Sequence, residues 1–308
     1  MAITLADVAK LQKDPLTKGF MDIFLEERDL AQFIPSVSVD SLKTRDVQTT
    51  TLPSMSWRDL GDQHAESKGA WDWVEETVYS MGAQIEIDYL LRKDKSLAKD
   101  PMQQHVSMFA RASAYEFNDV LVNGDPTISR KTPAGISYRL GQAAAELQLD
   151  AASLDLSTGA SRDANGLAFI DLLDQLIDTL EEKANLLLVN RQVKQVLRSI
   201  LMRKGLWASN VDQFGRQIGE YRGAKIIDCG RKSDQKTQII PVTATLSPIY
   251  LVRTGGDFFH MKEFLPLTVK DLGRVSGTKV ERTDVEWVFG YGNPNPWSIA
   301  GLKNIKVA

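Results

Sequence analysis

One cysteine, Cys229, in 308 residues excludes an internal disulfide and by itself sets up no metal site; a buried, inert thiol is the default for such a residue. Histidine is almost as scarce. His64, His105 and His260 lie far apart in the chain, and none has a second His or Cys at metal-ligand spacing. Apolar runs stay well short of the roughly eighteen residues a spanning helix needs, so no transmembrane helix and no membrane partner are expected. Asp7, Lys10 and Lys13 interrupt the first apolar pattern, which is not that of a signal peptide. No run of Lys or Arg exceeds two residues and the formal net charge is −3, which argues against a dedicated nucleic-acid binder. A near-neutral or acidic surface suits a protein that lies beside packed nucleic acid without gripping it, because every neutralised phosphate adds affinity.

Catalytic signatures are missing too. The chain has no Walker loop, no dinucleotide glycine fingerprint and no nucleophile-elbow serine. Gly290-Tyr291-Gly292 reads as the turn before Asn293-Pro294-Asn295-Pro296. The acid pairs Glu26-Glu27, Glu75-Glu76 and Glu181-Glu182 read as solvated faces, since adjacent acids on a strand or helix point apart. Asp163-Ala164-Asn165-Gly166 has part of a calcium loop but lacks its other ligand positions and its terminal glutamate. The expectation is therefore no enzyme, no cofactor and no metal.

Two long elements carry the information. From Trp73 to Leu91 the odd positions read Trp, Glu, Thr, Tyr, Met, Ala, Ile, Ile, Tyr, Leu, and from Tyr79 on they alternate with Ser80, Gly82, Gln84, Glu86 and Asp88. That is the period of a half-buried strand. At ~3.3 Å per residue it would reach roughly 60 Å, several times an ordinary strand. Asp100 as N-cap and Pro101 at the first position then open a helix whose stripe is Met102, Val106, Phe109, Ala110, Phe117 and Leu121, closed by Gly124. Its length is about 33 Å.

Ahead of these, Leu5, Val8, Leu11, Leu16, Phe20, Ile23 and Phe24 mark a short helical turn and a helix that must lie on something else, followed by an extended Phe33 to Val39. Val47 to Asp59 reads as a strand, and Gly61 to Gly69 as the polar tip of a β-hairpin. Trp57, Trp71 and Trp73 cluster near that tip, where they either pack on one another or bury themselves in another subunit. Gly141 to Leu149 reads as a short helix and Ser153 to Gly166 as a surface loop. A helix spans Leu167 to Lys183, a buried strand Leu186 to Val189, and a second helix Arg191 to Lys204 with Arg191, Lys194, Arg198 and Arg203 outside its apolar face. Trp207 to Gly219 reads as loop. Strands are expected at Ala224 to Cys229, Thr237 to Val242, Ile249 to Thr254, Thr268 to Lys270, Glu286 to Phe289 and Ala300 to Val307. The class is α+β, with clustered helices.

The order of parts resembles the Hong Kong 97-type major capsid proteins of tailed bacteriophages. Tyr115-Glu-Phe-Asn-Asp-Val-Leu-Val-Asn123-Gly124-Asp125-Pro126, followed by Gly135-Ile136, is similar to the end of that family's spine helix. Leu187-Leu-Val-Asn-Arg191, then Phe214-Gly215 and Gly219-Glu-Tyr-Arg-Gly-Ala-Lys-Ile-Ile-Asp228, is similar to its axial-domain passage. The resemblance covers essentially the whole chain. It implies an N-terminal arm over residues 1–32, an extended β-hairpin loop over 33–91, a peripheral domain with the spine helix over 92–139, an axial α/β domain over 140–255, and a return to the peripheral domain over 256–308.

The resemblance further implies a shell subunit that assembles as pentamers and hexamers of an icosahedral head around double-stranded DNA. Portal and scaffolding proteins are the implied partners, a decoration protein a further one, and the virion capsid, assembled in the host bacterial cytoplasm, the location. Phe20, Phe24, Trp57, His64, Lys68, Trp71 and Trp73 are the residues expected at subunit interfaces. Gly61, Gly69 and Gly82 are candidate flexible points, Gly82 equally a bulge. Lys68 stands where some relatives place a crosslinking lysine, but no asparagine and catalytic acid match, so no crosslink is inferred. Two other readings remain, an encapsulin-type shell around cargo and a soluble α+β enzyme with a dispersed site.

Overall fold

The computed structural model describes residues 3–27, 30–93, 100–181, 183–211 and 217–307. The chain opens with β1 (Ile3–Thr4) and α1 (Leu5–Leu11), where Thr4 and Asp7 form a capping box. Then come α2 (Pro15–Glu27), β2 (Pro35–Ser38), β3 (Lys43–Thr51), β4 (Ala70–Thr77), β5 (Tyr79–Asp88), the short α3 (Tyr89–Lys93) and the long α4 (Pro101–Asn123). The middle of the chain holds α5 (Ile136–Gln142), β6 (Gln148–Asp150), α6 (Gly159–Thr179), β7 (Leu186–Val189), α7 (Arg191–Arg203), β8 (Ala208–Val211), β9 (Gln217–Tyr221) and β10 (Ala224–Asp228). It ends with β11 (Leu246–Val252), β12 (His260–Arg274), β13 (Val280–Gly292) and β14 (Ile299–Lys306).

These strands form a five-stranded sheet in the order β1-β2-β12-β13-β5, a seven-stranded sheet in the order β6-β14-β11-β7-β10-β9-β8, and the separate pair β3-β4. The first sheet is closed on one face by α2 and α4. Phe24 of α2, Phe117 of α4 and Trp287 of β13 meet there, with ring centroids 5.4–5.7 Å apart, and truncating such aromatics costs about 3–5 kcal/mol. In the second sheet β7, all four residues buried, pairs in parallel with β10 across the α7 crossover. Its unbroken apolar run is what a strand covered on both faces requires.

Several expectations need correction. The nineteen-residue strand is two strands in different sheets: β4 pairs only with β3, whereas β5 pairs with β13 from Tyr79 to Asp88. The joint is Val78, which is buried and donates its N–H to Leu42 O, so the chain is held at the crossing. The first strand of the hairpin starts at Lys43 and ends at Thr51, not at Asp59. Residues 153–166 are not one loop, because α6 starts at Gly159 with Thr158 as N-cap, and Asp163 to Gly166 are helical. Residues 207–219 hold the β8–β9 hairpin, while Phe214-Gly215 lies outside the described residues. Thr237 to Val242 forms no strand; it carries one isolated bridge at Gln238, and Ile239 and Ile240 point into the core. The helix expected over 141–149 is displaced to Ile136–Gln142 and followed by a 3-10 turn and β6.

Gly290 and Gly292 lie within β13 rather than in a turn, where a Cβ would come 2.8 Å from Thr77 O and 2.6 Å from Lys262 Cε. Gly82 is no bulge. It sits in register opposite Glu286, and a Cβ would meet Val285 O at 2.5 Å. The first 32 residues lie on the rest of the chain, as β1 pairs with β2 and α2 packs on α4 and β12. The last strand, β14, joins the seven-stranded sheet, while β12 and β13 belong to the five-stranded one.

Candidate assembly surface

The β3–β4 hairpin leaves the body as a two-stranded arm. Lys43 pairs with Thr77 at its root and Thr49 with Trp71 further out, and residues 52–69 form an irregular tip. Such an arm has no apolar face buried behind it and is marginal in water by itself. Its side chains show the same deficit. Met55, Trp57 and Leu60 are 96 %, 102 % and 105 % exposed, and Val47, Leu52, Trp71 and Trp73 are exposed as well. Trp71 and Trp73, two residues apart on one strand face, pack edge to face at 5.1 Å, while Trp57 stands free of both.

Polar contacts shape the tip. His64 Nδ1 lies 3.0 Å from Ser56 O, Ala65 N donates to Ser56 Oγ, and the Ser54 hydroxyl meets that of Ser67 at 3.0 Å. His64 and Lys68 are exposed. Phe20 and Phe24 have another role than expected. At 1 % and 2 % exposure both are consumed by the core of their own chain and leave nothing for a neighbour.

The root of the arm is fastened to the body by two ion pairs. Arg139 of α5 donates from Nη1 and Nη2 to the two carboxylate oxygens of Glu76 at 2.7 and 2.9 Å, and also to Tyr291 O and Ala134 O. Lys262 of β12 donates to Asp46 Oδ2 and Thr44 Oγ1, both at 2.6 Å, and its side chain is 3 % exposed. One pair holds β4, the other β3. Glu75 and Glu76 therefore do not share a solvated face: Glu75 is exposed and bridges to Arg45, whereas Glu76 is buried. Glu182, of the pair Glu181-Glu182, lies outside the described residues.

Sequence reasoning missed this clamp, because Asp46, Arg139 and Lys262 are dispersed by more than two hundred positions and share no motif. The only local sign was the strand alternation that separates Glu75 from Glu76. Beside the arm a cleft of about 1010 Å³ opens between β3 and the Pro294–Trp297 segment, and a second of about 460 Å³ lies over the Arg139–Glu76 pair.

Two buried titratable groups lie behind the clamp. Burial pushes His260 below its ordinary range; its contact with Phe258 O pulls the other way, and Lys262 adds to the depression. Burial pushes Glu263 up, against the hydrogen bonds it accepts from Trp287 Nε1 at 2.7 Å and Ser36 Oγ at 3.3 Å. His105 is exposed on α4, and Cys229 is buried. Among the described residues no group of three or more His, Cys, Asp or Glu could hold a metal ion, and no helix is long and apolar enough to cross a membrane. What the arrangement offers is surface: an apolar, aromatic arm held at a set angle.

No protein-family model matches the sequence, and no curated protein matches it. Solved structures do. The holo-SrpI encapsulin complex from Synechococcus elongatus PCC 7942 is similar over 100 % of this chain and 98 % of that one, with a TM-score of 0.66 and 14 % identity. The capsid of a native GTA particle covers 92 % of this chain and 90 % of its own, at 0.61 and 14 %. A chain of Mycobacterium phage Bobi covers 98 % and 99 %, at 0.60 and 10 %. The chain has the Hong Kong 97 capsid fold.

Within the Hong Kong 97 fold this molecule is poorly self-contained. Its accessible surface is 17039 Å², against about 12,900 Å² for a compact protein of 34.3 kDa. The difference, about 4,100 Å², is of the size that obligate assemblies bury between subunits. The exposed apolar residues of the arm account for its most concentrated part.

Proposed function

We propose that the chain is the subunit of a closed protein shell, and specifically the major capsid protein of a tailed-phage head that encloses double-stranded DNA. The observation that carries this is the clamped arm with its exposed tryptophans on a Hong Kong 97 fold. In this reading β3, β4 and the tip form the extended loop lying over a neighbouring subunit, α4 is the spine helix of the peripheral part, and the seven-stranded sheet with α6 and α7 is the axial part facing the symmetry axes. Trp57, Trp71 and Trp73, with His64 and Lys68 at the rim, form the contact. Copies assemble as pentamers and hexamers with portal and scaffolding proteins, in the host cytoplasm, and end in the virion.

The role is structural, and the buried acids and histidine are accounted for by packing. A second reading, an encapsulin-type shell around cargo, draws on the similarity to the SrpI encapsulin across this entire chain, N-terminal helices included.

The arm is the part to test. Sedimentation of the wild type should show shells or capsomers, and the triple variant Trp57→Ala/Trp71→Ala/Trp73→Ala should shift the material to single subunits with unchanged circular dichroism. A variant that assembles as the wild type does would remove the arm from the contact. Enclosed contents separate the two shell readings: shells that close unaided and retain a co-expressed cargo protein favour the encapsulin.

A further inference from the structure

Residues 191–204 contain five basic side chains and no acidic one, in a chain that has 37 basic and 40 acidic residues overall. Two of the five are accounted for locally: Arg203 pairs with Asp163 of α6, and Lys204 closes the helix. The helix meets α6 at the same side. A Cβ on Gly166 would stand 3.3 Å from Ile200 Cγ2, so α6 lies toward Ile200 and Arg203. At about 100° per residue, Arg191, Lys194 and Arg198 fall in one row on the opposite flank, about 10 Å long.

Among the described residues neither Arg191 nor Lys194 has an acidic partner. Both stand in or next to the first turn, which holds no acid and where the helix dipole disfavours cations. Arg198 lies over the Trp207 ring at 5.7 Å, and that indole is fixed by packing on Gly219, where a Cβ would come 2.2 Å from it. Gln195, exposed, stands beside the row with an amide donor. The free subunit thus carries a row of cations at a cost, with a guanidinium already oriented by an aromatic ring.

We propose that this flank of α7 binds the phosphate backbone of nucleic acid without reading sequence. One-turn spacing, the lack of acids on the helix and an amide donor alongside suit a repeating anion better than a single carboxylate patch. The overall charge of −3 keeps the contact weak and salt-sensitive, which suits polymer that must remain movable. The inference deepens the genome-enclosing reading and rests on it for its biological meaning, but its test does not require a shell.

Binding of a labelled 30-base-pair duplex to unassembled subunits, measured by fluorescence anisotropy between 25 and 200 mM salt, decides it. Each phosphate contact contributes about −0.9 to the slope of log K against log salt. Arg191→Gln/Lys194→Gln/Arg198→Gln should therefore flatten the slope by between about 2 and 3 and weaken low-salt binding at least about tenfold. If the triple variant does not fold, Arg191→Glu alone should flatten it by about 1. An unchanged slope, no binding by the wild type, or equal competition by polyglutamate would overturn the proposal. A wild type that stays monomeric or dimeric at every concentration, with these slopes intact, would count against the shell reading alone.

Discussion

Lys262 is the most deeply buried charge at the root of the arm. Its side chain is 3 % exposed, and its partners Asp46 and Thr44 come from the arm strand β3. A buried charge deprived of its partner costs several kcal/mol, whereas replacing both members by apolar groups is often neutral. Asp46→Ala should thus destabilise the free subunit by about 3 kcal/mol, and Asp46→Ala/Lys262→Met should recover most of it. Chemical denaturation of both variants checks this. Arg45, exposed and paired with the exposed Glu75, provides the control, with an expected loss under about 1 kcal/mol.

Glu263 and His260 set the pH response from opposite sides. Glu263 is raised above 4.5 in the fold, so its contribution is fully present below that value and lost as pH rises through the folded pKa. His260 is depressed below 6.5, so its contribution is present above 6.5 and lost as pH falls. Glu263→Gln, which keeps an acceptor for Trp287 and cannot ionise, should raise the melting temperature at pH 8 and leave that at pH 4 nearly unchanged. Equal shifts at both values would remove ionisation as the cause.

Among the elements, the arm is the one expected to serve assembly rather than the subunit's own folding. Its tip, residues 53–68, makes local contacts such as Ser54 to Ser67 and Ser56 to Ala65. Replacing it by a short Gly-Ser turn should leave the free subunit's melting temperature within about 2 °C of the wild type, since surface changes away from a core alter stability little. The same replacement should abolish large particles in sedimentation. A large loss of stability would mean that the tip belongs to the subunit's own core.

How much of this was readable differs by element. The α4 boundaries, the buried β7 and the strand–helix passage into α7 follow from local signals: a cap, a four-residue apolar run, an Asn that accepts from Val193 N. The split at Val78 was not readable, because the alternation continues across it and only pairing partners differ. The clamp and the burial of Phe20 and Phe24 depend on contacts across most of the chain, and no spacing encodes those. Gly124 illustrates the intermediate case. Its position after α4 was clear, but its φ of −52 needs no glycine; the close approach does, since a Cβ would lie 2.3 Å from Pro133 O.

At the scale of the whole molecule, the Hong Kong 97 fold and the unburied surface point the same way. A subunit with about 4,100 Å² beyond the compact expectation and an apolar arm rooted by two buried ion pairs exposes the kind of surface that assembly covers. Heterologous contacts of this kind close into rings and shells when the rotation permits. The mass and shape of the purified protein test this most directly, by multi-angle light scattering with negative-stain electron microscopy. Closed particles of millions of daltons, or pentamers and hexamers where a scaffold is lacking, are the expected result. A stable monomer or dimer at every concentration would contradict it.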